Sequence, residues 1–151
     1  MTTRSDEAAR LEEFARLVLA KAQAELREGR EIMPAVITLT ADDHMTIYAL
    51  AGKHGAAQRA DIQAKVIARD NAVATMFVAD SNMRAEDDID KIIGEALTCL
   101  IETRLETFML CQYYRRDPFV FDPVTVIDNC QHKQLERTHG PSFAQPTSRT
   151  M

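Results

Sequence analysis

The chain has 151 residues, 46% hydrophobic and 27% charged, enough apolar material to close one core without disulfide or metal staples. Its 23 acidic and 18 basic side chains give a formal net charge of −5, a field that repels polyphosphates and anionic membrane surfaces and disfavours broad nucleic-acid binding. No apolar run reaches the roughly 18 residues that a membrane span needs. Met1 to Glu7 lacks the apolar stretch of a secretory signal, and Cys99, Cys111 and Cys130 are an odd count, too few for a disulfide scaffold. The reducing cytoplasm is the expected compartment.

From Ser5 to Glu28, Leu11, Phe14, Ala15, Val18, Leu19, Ala22 and Leu26 recur at helical spacing. Ser5 suits the N-cap, Asp6 and Glu7 complement the positive end of the helix dipole, and Gly29 offers a left-handed stop. After Pro34 the period becomes two. Ala35 to Thr40 and Met45 to Leu50 read as strands, with Ala41-Asp42-Asp43-His44 as a hairpin link. Past Gly52 and Gly55, Ala57, Ala60, Ala64 and Ile67 predict a second helix, and Ala72 to Ala79 a strand buried on both faces.

Residues 92–116 fit two patterns. As a helix, Ile92, Ile93, Ala96, Leu97, Leu100, Ile101, Leu105 and Phe108 share one face; as strands, Leu97-Cys99-Ile101 alternates with Thr98 and Glu102, and a turn at Arg104 to Glu106 leads into Phe108 to Tyr114. Pro118 and Pro123 then flank Phe119 to Asp122 and precede Val124 to Ile127, an extended stretch near a sheet edge. From Asn129 to Met151 the chain is polar and reads as a mobile tail.

The run from Pro34 to Asp128 resembles a family of small bacterial and phage-associated α+β proteins with no assigned activity. The resemblance rests on Pro34-Ala35-Val36-Ile37-Thr38-Leu39, a turn and Met45-Thr46-Ile47-Tyr48-Ala49-Leu50, and on Ala74 to Met83. The family's third strand ends in a Ser-Glu-Ala-Trp-Met-like segment; here Asp80 is the acidic residue, Met83 is kept and the chain has no Trp. Glu102-Thr103-Arg104 stands where the family begins a turn, which moves residues 92–116 to a hairpin, although Leu105-Glu106 lacks the Gly of a tight primed turn. The resemblance implies fold alone. The expectation is an α+β domain over residues 1–128, order α-β-β-α-β-β-β, with a mostly antiparallel sheet of about five strands and both helices on one face.

No catalytic, cofactor or metal motif stands out. Glu86-Asp87-Asp88-Asp90 lacks the interval of a calcium loop, Asp42-Asp43-His44 fits a hairpin tip, and Cys130, His132 and His139 fall short of a zinc site. A turn centred on Leu105 would set Cys99 opposite Cys111, as packed reduced thiols. The first functional expectation is a non-catalytic interaction or accessory protein, homodimeric through a sheet face that the helices leave bare. Two alternatives stand beside it. One is a small hydrolase-type enzyme with its site near Asp80, Asn82 and Arg84. The other is a single-strand nucleic-acid accessory role through Tyr113-Tyr114-Arg115-Arg116.

Overall fold

The computed structural model describes residues 5–50, 56–85 and 87–128, with the backbone alone at 56–59, 83, 84 and 92. Helix α1 (Asp6–Arg27) forms where the periodicity placed it. The Ser5 hydroxyl accepts from the Ala8 N–H at 3.2 Å, and Asp6 and Glu7 occupy the first turn. At the other end Gly29 (φ 84) lets its own N–H reach the Leu26 carbonyl while Arg30 N–H reaches that of Glu25, a Schellman close. Strands β1 (Ala35–Thr40) and β2 (Met45–Ala49) form the expected hairpin, with Asp43 at φ 70 and Thr40 Oγ1 accepting from His44 N–H at 3.0 Å. Helix α2 (Ala56–Asp70) follows, then β3 (Ala72–Arg84), β4 (Ile92–Thr103), β5 (Thr107–Arg115), β6 (Val120–Phe121) and β7 (Thr125–Asp128).

Residues 92–116 are a hairpin. The turn at Arg104-Leu105 has no residue of positive φ; instead the Thr103 hydroxyl accepts from both Leu105 N–H (3.2 Å) and Glu106 N–H (3.1 Å) and holds the bend. The sheet is antiparallel in the order β2-β1-β3-β4-β5-β6, with β7 also on β5. It has 7 strands rather than five, because the proline-flanked stretch contributes β6 and β7. The strand expected over Ala72 to Ala79 runs on to Arg84 and lies centrally, between β1 and β4.

Two expectations are corrected. The helices do not share a face. Ile37, Met76, Val78, Leu97, Ile101, Phe108 and Leu110 join Leu11, Ala15, Leu19 and Leu26 of α1 in one cluster, whereas Val36 and Phe77, which point the other way along the same strands, pack with Ile62 and Val66 of α2. The sheet is therefore sandwiched between its helices. The second correction is register: Cys99 faces Leu110 and Cys111 faces Thr98, so the two thiols are on opposite sides of the sheet. The real turn is centred half a pair away from Leu105, and a one-residue slip flips every side chain.

Candidate functional site

The polar groups of the α1 face gather at one end of the sheet. In the strand register Glu95 of β4 stands between Asn82 of β3 and Tyr114 of β5, with Asp80 one pleat along. The Tyr114 hydroxyl donates to Asp80 Oδ1 at 2.7 Å and lies 3.3 Å from Glu95 Oε1. Arg116 grips Glu95 with Nε at 2.7 Å and Nη2 at 3.1 Å, and Nη2 also reaches the Tyr114 oxygen at 3.3 Å. Beneath them Tyr114 stacks on Phe121 (centroids 5.3 Å apart) and Phe121 on Phe119 (5.9 Å). Arg27 caps Phe121 at 5.0 Å and Arg116 caps Phe119 at 5.4 Å.

The two carboxylates are treated differently. Hydrogen bonding to Arg116 holds Glu95 below the usual carboxylate range, whereas burial raises Asp80, its one phenolic bond only partly offsetting the lost water. Burial and the Asp80 carboxylate push the Tyr114 phenol up. Over Asp80 lies a cavity of about 400 Å³ whose roof is the end of α1 and the segment after it.

An apolar groove of about 320 Å³ adjoins it, sharing Glu31 and Ile32 and running between Phe14 and Val18 of α1 and Ile37 and Ile47 of the hairpin. Helix α1 lies mainly over β3, β4 and β5, which is why the groove beside the hairpin stays open. Along its outer rim Ile47 is 60% exposed and Met33 56%.

The rim is also a sheet edge. Thr40 N–H donates to the His44 carbonyl and Leu50 N–H to that of Pro34, so the alternation of an antiparallel ladder turns the backbones of residues 44, 46, 48 and 50 toward β1. The N–H and C=O groups of Met45, Ile47 and Ala49 consequently point outward, and no described residue takes them. On this strand no proline, charge or register shift blocks pairing. The opposite edge is protected: beyond β5 lie the two-residue β6 and four-residue β7, with Pro118 and Pro123 around them.

On the α2 face, Gln63 Nε2 donates to Thr75 Oγ1 (2.9 Å) and Glu102 Oε1 (2.8 Å), all three residues being fully buried. Asp70 at the end of α2 accepts from Tyr48 (2.6 Å) and Thr38 (2.7 Å), and these bonds hold its carboxyl below the usual range. These contacts dock α2.

Of the residues singled out from sequence, Asp80 lines the cavity, Asn82 is exposed, and the Arg84 side chain is outside the described residues. Tyr113-Tyr114-Arg115-Arg116 is divided by the pleat: Tyr114 is buried under Arg116 on the α1 face, and Tyr113 and Arg115 point the other way, so the four do not form one platform. Asp42 takes the Thr40 hydroxyl, and Asp43 pairs with Arg10 at 3.2 Å. Asp88 accepts from Asp90 N–H, while residue 86 and Cys130, His132 and His139 lie outside the described residues. Among the described residues no three His, Cys, Asp or Glu side chains are grouped to hold a metal ion, and no helix is long and apolar enough to cross a membrane. Sequence reading missed Glu95, Tyr114 and Arg116 as partners of Asp80, and it missed the open edge.

No protein-family model matches the chain, and neither a curated protein nor a solved structure matches it.

Proposed function

We propose that the chain is a non-catalytic interaction protein that pairs with a second copy of itself through the β2 edge. The observation that carries this is the outward set of backbone groups at Met45, Ile47 and Ala49, which lies beside exposed apolar surface. A two-fold axis through Ile47 would set Ile47 against Ile47 of the second copy and Met45 against its Ala49. All three pairs fall at hydrogen-bonded positions of the new ladder. The strand is thus its own complement, and β2 side chains of both copies would sit over the same apolar groove. The edge takes over the role expected of a bare sheet face, since α2 packs against β1 and β3 on the second face.

Sedimentation velocity from about 1 to 100 μM, the range over which a dimer of about 5.5 to 8 kcal/mol changes mass with concentration, tests the pairing. The wild type should gain mass with concentration. Ile47→Lys, which places like charges on the axis without touching a β1 hydrogen bond, should stay monomeric with an unchanged circular dichroism spectrum. A monomeric wild type at the top of that range, or an Ile47→Lys protein that still dimerises, overturns the proposal.

A further inference from the structure

The cavity over Asp80 is chemically unlike the β2 edge and has its own unmet demand. Its polar walls are Asp80 of β3, Arg116 just past the end of β5, and Arg30 and Glu31 from the segment after α1; Leu26 and Ile32 supply apolar surface. Both guanidinium groups are already matched by carboxylates, Arg116 by Glu95 in a two-point contact and Arg30 by Glu28. Among the described residues no cation forms an ion pair with Asp80, and Arg116 acts on it only from beyond contact distance. One of its oxygens takes the Tyr114 hydroxyl, and no described residue donates to the other. The negative end of the α1 dipole abuts the same space, and Glu31 adds a second carboxylate at its rim.

We propose that this cavity binds an alkylammonium group, with Asp80 as its counter-ion and Leu26 and Ile32 against its methylene chain. An anion would meet two neutralised guanidinium groups, an unneutralised carboxylate and a helix C-terminus, all unfavourable. A guanidinium ligand is matched less well than an ammonium. It spreads its charge over a planar head, whereas an ammonium concentrates it at one point, which the single Asp80 carboxylate facing the cavity favours. A volume of about 400 Å³ admits a short amine in extended form. The raised carboxyl of Asp80 is consistent with a charge awaiting a partner.

The same chemistry is carried by a free diamine and by a lysine side chain, so the probes are 1,4-diaminobutane and Nα-acetyl-lysine methylamide. Butylguanidinium and 1-butanol are the comparators, each titrated calorimetrically into the full chain at pH 7. At least one amine should bind about tenfold or more tightly than 1-butanol, the worth of one charge-assisted hydrogen bond, and more tightly than butylguanidinium. The tighter of the two amines identifies the source. Asp80→Asn keeps an acceptor for Tyr114, and should weaken the amine by about tenfold or more while leaving sedimentation unchanged. Failure of either amine to bind at millimolar concentration, equal affinity for 1-butanol, or an Asp80→Asn protein that binds like the wild type overturns the proposal. None of these results bears on pairing through β2.

Discussion

Replacing Gln63 by Leu tests the placement of α2 on the second face of the sheet. The substitution keeps size and apolar bulk but removes the amide that donates to Thr75 Oγ1 at 2.9 Å and to Glu102 Oε1 at 2.8 Å, in a setting where all three residues are 0% exposed. Each acceptor deprived of a donor inside a protein costs about 1–3 kcal/mol, with a carboxylate at the upper end, and the added apolar burial of Leu returns about 1 kcal/mol. The net loss is about 1–5 kcal/mol, or a Tm lowered by about 2–20 °C for a chain of this size. Urea denaturation followed by circular dichroism gives the number. A cycle with Glu102→Gln should show a coupling of about 1–3 kcal/mol, since the two side chains touch. A Gln63→Leu protein within about 0.5 kcal/mol of wild type, the range of surface substitutions, and with no coupling to Glu102 would refute the docking of α2 on that face.

Other expectations follow from register and from the two unlike carboxylates. Mild oxidation should not join Cys99 to Cys111, whose side chains leave the sheet on opposite sides; a Cys99–Cys111 peptide in a non-reducing digest would contradict the register. Cys99 is fully buried, its thiol pushed up to about 12, and should resist alkylation until the protein unfolds. Asp70 and Glu95 are held below their usual range, so the stability they add is complete above their unfolded values near 4 and is lost as pH falls through the depressed ones. Asp80 runs the opposite way. Its raised carboxyl means that ionisation opposes folding, so Asp80→Asn should stabilise the chain at pH 7 and lose that advantage as acid protonates the wild-type group. Paired urea melts at pH 7 and pH 4 check it, and an unchanged or widened gap at pH 4 would refute it.

What the sequence made legible is what local chemistry decides. Ser5, the stripe from Leu11 to Leu26 and Gly29 specify α1 from cap to cap, and Asp42-Asp43 between two β-branched runs specifies the first hairpin. The faces were not legible because Ala72 to Ala79 is apolar at every position but Thr75, so alternation could not say which helix lies above and which below. The second hairpin was expected only through the resemblance, because periodicity fits a helix as well and Thr103, rather than a glycine, organises the turn. The partners of Asp80 were missed because β4 and β5 bring Glu95 and Tyr114 to it from 15 and 34 positions away along the chain. The local signal was Gln112 and Tyr114 following Phe108 and Leu110 on that face. The open edge depends on strand order, which depends on every pairing in the sheet.

Amide hydrogen exchange along β2, read residue by residue at low and high protein concentration, tests the self-pairing most directly. The Thr46 and Tyr48 amides bond to β1 and should be protected throughout; those of Met45, Ile47 and Ala49 should exchange freely in dilute solution and slow as concentration rises. If Ile47 exchanges at its unprotected rate at every concentration, β2 does not meet a second copy of itself.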